Sequence, residues 1–185
     1  MDTVSSSSRR VVLAAVTAGA LVSVLLGVYG KAHTPTGDKI LLFGFSNMIQ
    51  MKVWLALVTG VLVLVQLVTA LWMYGRLGLK VPARIGVVHK SLGGLALLVS
   101  LPVAYHCLWS IGFESYTPRV LLHSLAGCLV YGVFVVKVVG LHAKASPSWL
   151  VAVAGGLLFT TLVITVLTSA IWYLGANGLP NGGGY

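Results

Sequence analysis

Five stretches of this sequence run for about 20 residues or more with scarcely a charge, and that pattern restricts the chain most. A helix of about 20 apolar residues matches the hydrocarbon thickness of a bilayer. The stretches are 11–30, 51–74, 85–109, 120–141 and 149–174. The expected fold is therefore all-α: an integral membrane bundle of about five transmembrane helices, with lipid as the solvent for most of its surface.

Composition agrees. Only 8% of the 185 residues are charged and 58% are hydrophobic, whereas a soluble domain carries about 25% charged residues. Mean hydropathy is +0.99. The formal net charge of +9 would point to nucleic acid in a soluble protein. Here the basic residues flank apolar spans and report topology, so no nucleic-acid partner is expected. Residues 11–174 are expected to form one bundle, with a polar cytoplasmic leader at 1–10 and a flexible, Gly- and Asn-rich external tail at 175–185. Arg9-Arg10 before an apolar run has the look of a secretion signal. The run exceeds a typical signal core of about 7–15 residues and no small-x-small site follows it, so an uncleaved first helix is expected.

Lysine and arginine fall unevenly on alternate sides. One side carries Arg9, Arg10, Arg76, Lys80, Arg84, Lys90, Lys137 and Lys144; the other carries Lys31, Lys39, Lys52 and Arg119. The positive-inside rule then puts the amino terminus in the cytoplasm and the carboxyl terminus outside, in the cell (plasma) membrane. Trp54, Trp72, Trp109, Trp149 and Trp172 lie near span ends, where aromatic rings favour the interface.

Polar groups inside lipid are expensive, and the histidines are the ones that need a reason. His33 sits in the first loop and is expected to be solvated. The other four, His89, His106, His123 and His142, lie on the third and fourth spans, one near each end of each. The separations are 17 residues on the third span and 19 on the fourth, or about 25 and 28 Å of helix. For two antiparallel helices to present both pairs convergently, the separations must total whole turns. They make 36 residues, ten turns at about 3.6 residues each. If His106 and His123 converge, His89 and His142 do so as well.

Paired imidazoles suit iron, and helical bundles hold such cofactors between facing helices. A porphyrin also needs flat space. In His89-Lys90-Ser91-Leu92-Gly93 and in His123-Ser124-Leu125-Ala126-Gly127 a glycine follows the histidine by four residues, on the same face. Gly93 and Gly127 would remove the side chains that strike a macrocycle. Covalent c-type attachment is excluded, because Cys107 and Cys128 form no Cys-x-x-Cys-His; both thiols read as small apolar fillers.

Over about Ile85 to Lys144, roughly a third of the chain, this layout resembles the di-haem b-type membrane cytochromes of the ferric-reductase-like and ascorbate-reducible cytochrome b group. The resemblance rests on the histidine layout and on the string His89-Lys90-Ser91-Leu92-Gly93. It implies two haem b groups, one near each face, held by histidine pairs. The chain departs from that family in its longer intra-helix spacings and in carrying all four histidines on adjacent helices. It is also similar to small uncharacterised actinobacterial membrane proteins.

The plainer reading stands beside this one. A histidine at a helix end is often just an interfacial polar group, which suits His142 and, less well, His89; His106 and His123 could be hydrogen-bonded across helices without a cofactor. Lys90, Arg84 and Lys144 are ordinary positive-inside flanks, or, with Arg119 and Lys52, partners for propionates. Lys137 lies among valines and is expected to snorkel to the inner interface. Gly60, Gly127, Gly132, Gly155 and Gly156 read as close-packing positions. The acidic residues are only Asp2, Asp38 and Glu114. None is mid-membrane, which weakens a proton pump or ion transporter. No phosphate loop, zinc motif, nucleophile constellation or flavin domain is apparent.

The expected function is a membrane b-type cytochrome relaying electrons across the membrane. His106 and His123 would ligate an outer haem, and His89 and His142 an inner one. Donor and acceptor would be separate: a redox protein, a quinol or a small reductant. The alternative is a haem-free anchor or assembly subunit of a redox complex.

Overall fold

The computed structural model describes residues 6–37 and 40–180. Asp2, Asp38, Lys39 and the last five residues of the tail, named above, lie outside that set. The described residues form helices and connecting loops with no strand: α1 (Ser6–Ala32), α2 (Met48–Met73), α3 (Ile85–Tyr105), α4 (Pro118–His142), α5 (Ser148–Val166) and α6 (Trp172–Asn177). Two π-helical segments continue the longer helices, His106–Ile111 after α3 and Leu167–Ile171 between α5 and α6. Five helices are long and apolar enough to cross a membrane, the third ending at Ile111 and the fifth at Asn177.

Two boundaries differ from the sequence reading. Helix begins at Ser6 within the polar leader, and it persists to Asn177, so Gly175 to Asn177 are not loose tail. In both places helix continues past the apolar run, because backbone hydrogen bonding propagates cheaply once a long helix exists.

The helix ends have identifiable causes. Asn47 and Thr117 accept hydrogen bonds from the backbone N–H of Gln50 (2.8 Å) and Val120 (3.2 Å), satisfying donors left over at the starts of α2 and α4. Pro118 follows Thr117 in the first turn, where a missing N–H does no harm. α2 ends on Gly75 at φ 68°, with Arg76 N–H donating to Leu71 O and Gly75 N–H to Trp72 O, both at 2.9 Å. That is a Schellman stop, and only a residue without Cβ adopts it freely.

The chain divides into two compact units. The first contains α1, α4 and nearly all of α5. Within it α1 and α4 run antiparallel: Ser8 Oγ donates to Ala145 O beyond the end of α4, and Phe113 N–H, ahead of α4, donates to Gly30 O near the end of α1. Between those ends the helices meet on small residues. A Cβ on Gly19 would strike Val136 and the Gly132 backbone, and one on Gly132 would strike Ser23 and the Gly19 backbone. One turn further, a Cβ on Gly27 would stand 3.8 Å from Cys128 Sγ. Gly19, Ser23 and Gly27 thus descend one face of α1 by fours, while Val136, Gly132 and Cys128 descend α4 by fours to meet them. Such close approach drives helix association in lipid through packing. Ala15, one turn before Gly19, is fully buried.

The second unit holds α2, α3 and the chain from Val166 onward. α2 and α3 form a hairpin through the basic turn, which Trp72 ties down by donating its indole N–H to Lys80 O at 3.0 Å. At the hairpin's other end Thr36 and Gly37 donate backbone N–H groups to Trp109 O and Ser110 O. A Cβ on Gly60 of α2 would stand 3.3 Å from Val166.

Candidate functional site

His106 is the fully buried histidine among the described residues. Pro102, within α3, is one turn earlier, and its carbonyl lies 2.9 Å from His106 Nδ1. A carbonyl only accepts, so Nδ1 carries the proton and Nε2 carries the lone pair. Nε2 is buried and has no hydrogen-bond partner among the described residues. A buried acceptor left this way costs about 1–3 kcal/mol. The Tyr105 ring meets the imidazole edge-on at 5.3 Å. The backbone turns from α to π at His106, a local irregularity that recurs at functional positions.

The other histidines are placed as follows. His142 is the last residue of α4 and is exposed, with Nδ1 2.9 Å from Val138 O, the same four-residue back-bond that His106 makes. His123 is half-buried near the start of α4, and the neighbouring Ser124 Oγ donates to Glu114 O at 2.9 Å. His89 is half-buried in the first turns of α3, with Nδ1 2.8 Å from Thr69 Oγ1 of α2. His33 differs from its expectation as a solvated loop residue. Its backbone N–H bonds Tyr29 O, its ring stacks on Tyr29 at 5.1 Å and 10°, and its Nε2 is buried.

The two spacing glycines have different surroundings. A Cβ at Gly127 would meet nothing within 4 Å, so the space next to it is open. A Cβ at Gly93 would stand 3.2 Å from Gln66 Oε1. The room beside Gly93 is therefore taken by Gln66, whose Nε2 donates to His89 O at 2.7 Å. Gln66 and Thr69 are residues the sequence reading passed over. The available signal was a glutamine inside an apolar span, which in lipid needs a partner.

Lys137 also departs from expectation. Its Nζ lies 4.0 Å from where a Cβ on Gly155 would stand, about two turns into α5, rather than reaching for the end of α4. Helical side chains tilt toward the helix amino terminus, which for Lys137 is away from the nearby end at His142. Among the described residues no group of three or more His, Cys, Asp or Glu is placed to hold a metal ion.

Fold and site together define a helical protein with five membrane-length apolar helices and a buried histidine hydrogen-bonded on one nitrogen only. The chain belongs to DUF6529, a family of unknown function, whose sequence profile matches residues 12–181. No curated protein and no solved structure matches it.

Proposed function

We propose that this protein is a b-type cytochrome of the plasma membrane, its amino terminus in the cytoplasm, relaying electrons between partners on the two faces. The observation that carries this reading is His106 Nε2: buried, without a hydrogen-bond partner among the described residues, and left with the lone pair because Nδ1–H donates to the Pro102 carbonyl. A histidine whose other nitrogen bonds a backbone carbonyl is the usual arrangement for a metal ligand, since that bond fixes the ring and raises its basicity. Open space beside Gly127, one turn from His123, supports room for a flat group on α4.

In this reading His106 would hold an outer haem b, with His123, at the same level on the next span, as its partner. His89 and His142 would hold the inner haem. Bound haem supplies one-electron chemistry at its iron. The chain's part is to hold the ligand rings, keep water away and shield the group within lipid. Electron donor and acceptor are a redox protein, a quinol or a small reductant. Charge movement across the bilayer is coupled to the membrane potential at about 2.3 kcal/mol per 100 mV.

The test is a reduced-minus-oxidised visible spectrum of the purified full-length protein, made with ample haem, together with haem-to-protein stoichiometry. About two b-type haems per chain are expected. A haem-free protein would leave a non-catalytic anchor as the better account.

A further inference from the structure

We infer that the end of the first unit where α1 and α5 begin is a binding site for the phosphate of an anionic phospholipid. Lys137 is its inner contact, and Arg9, Arg10 and Lys144 stand at its mouth. Haem plays no part in it.

The topology of the unit gathers positive charge at this end. Ser8 Oγ, in the first turn of α1, donates to Ala145 O, just beyond α4, at 2.7 Å. A Cβ on Gly140, near the end of α4, would stand 3.3 Å from the side chain of Leu150, in the first turn of α5. The start of α1, the end of α4 and the start of α5 therefore lie together. Arg9, Arg10 and Lys144 belong to these segments, and all are exposed. α1 and α5 also bring their amino-terminal ends, the positive poles of two helix dipoles. Neither has an acidic residue in its first turn. Among the described residues the acid is Glu114, at the opposite end of the unit, where its neighbour Phe113 bonds Gly30.

Lys137 turns a charged surface into a site. It precedes the end of α4 by five residues, about 7.5 Å of helix, and so lies within an apolar span. Its Nζ rests beside Gly155 of α5, and no hydrogen bond or ion pair meets it among the described residues. An unpaired ammonium is expensive at that depth. A soluble anion would have to leave water to reach it. A lipid phosphate arrives with its acyl chains already in the bilayer, and the flexible lysine stem lets the ammonium rise to meet it. Space is open next to Gly155: a Cβ on Gly156 would meet nothing within 4 Å. Basic pockets between membrane helices recognise headgroups in this way. A zwitterionic lipid brings a cation of its own, which the basic residues repel, so the site selects a net negative headgroup.

The experiment uses the purified full-length protein in a neutral detergent and follows bound lipid by native mass spectrometry. Phosphatidylglycerol is expected to bind as a single retained molecule per chain, and phosphatidylcholine more weakly. Lys137→Gln, Lys144→Gln and a variant carrying both Arg9→Gln and Arg10→Gln are expected to weaken phosphatidylglycerol binding by about fivefold per charge removed. Lys137→Arg is expected to retain it. Lys31→Gln removes a charge from the last turn of α1, at the far end, and is expected to leave binding unchanged. Circular dichroism reports folding, and if Lys137→Gln does not fold, the double-arginine variant decides. Parent-like binding by a folded Lys137→Gln or by the double-arginine variant overturns the inference. Equal binding of the two lipids, or an equal loss in Lys31→Gln, overturns it as well. Inorganic phosphate that displaces the lipid mole for mole would assign the site to a soluble anion and overturn the lipid.

Discussion

The imidazole Nδ1 of His106 stands 2.9 Å from the carbonyl of Pro102, the residue one turn earlier in its own helix. This local bond settles the tautomer of a fully buried ring and leaves its second nitrogen without a hydrogen-bond partner among the described residues.

That nitrogen gives a prediction with opposite signs in two states. His106→Leu keeps nearly the same volume and removes the unpaired acceptor. Without haem, the variant is expected to be more stable than the parent by about 1–3 kcal/mol, the usual size of an unmet buried group. With haem supplied, it is expected to be the less stable and to lack the outer b-type signal. Thermal unfolding of both preparations, with and without haem, reads the two signs directly.

Gly127 and Gly132 are five residues apart on α4, and they should respond differently to a side chain. Gly127→Leu places its side chain in open space; helix content and melting are expected to hold while haem binding weakens. Gly132→Leu drives atoms into Ser23 and the Gly19 backbone. Destabilisation of about 3 kcal/mol or more is expected there, the upper end for overpacking. Equal melting temperatures for the two variants in detergent would sink the assignment.

Gln66→Leu removes a 2.7 Å hydrogen bond to His89 O. Polar contacts between membrane helices average about 0.6 kcal/mol and reach about 1.7 kcal/mol. A loss of about 1 kcal/mol is expected, measured by unfolding in mixed micelles. Gly93→Ala should cost no more than that, since Gln66 Oε1 must move only a few tenths of an ångström.

Topology is testable without haem. Lys80, in the α2–α3 turn, and the strongly exposed Tyr116, ahead of α4, belong to opposite sides of the membrane in the charge-bias reading. A cysteine placed at Lys80 should resist an impermeant thiol reagent in intact cells, and one placed at Tyr116 should react. The reverse pattern would invert the assigned orientation.

The five apolar spans were legible because lipid solvation writes itself into composition, and each reappears as a helix with ends moved by a few residues. The four histidines were also legible as the polar exceptions on α3 and α4. Their hydrogen bonds were not. The carbonyls of Pro102 and Val138 are invisible in a pattern of side chains, although both lie four residues before the histidine they hold. Gln66 and Thr69 act across the hairpin, and their effect depends on α2–α3 register, which apolar periodicity leaves open. The missing Cβ of Gly93 does leave space, but that space belongs to a glutamine. The α1 pattern Gly19, Ser23, Gly27 was equally present in the sequence; it gained meaning only against its counterpart on α4.

That small-residue ladder also sets a scale of length. Its rungs recur once per turn, so α4 can slide along α1 only by whole-turn jumps of about 5.4 Å, and the Gly19–Gly132 approach opposes even the first of these by bringing larger residues face to face. His123 and His142 ride on that helix, so their heights along α1 are fixed as on a ruler. For a chain that passes electrons by the proposed route, a helix unable to creep holds each of its imidazoles at one depth, while their separation is set by the 19 residues of α4 between them.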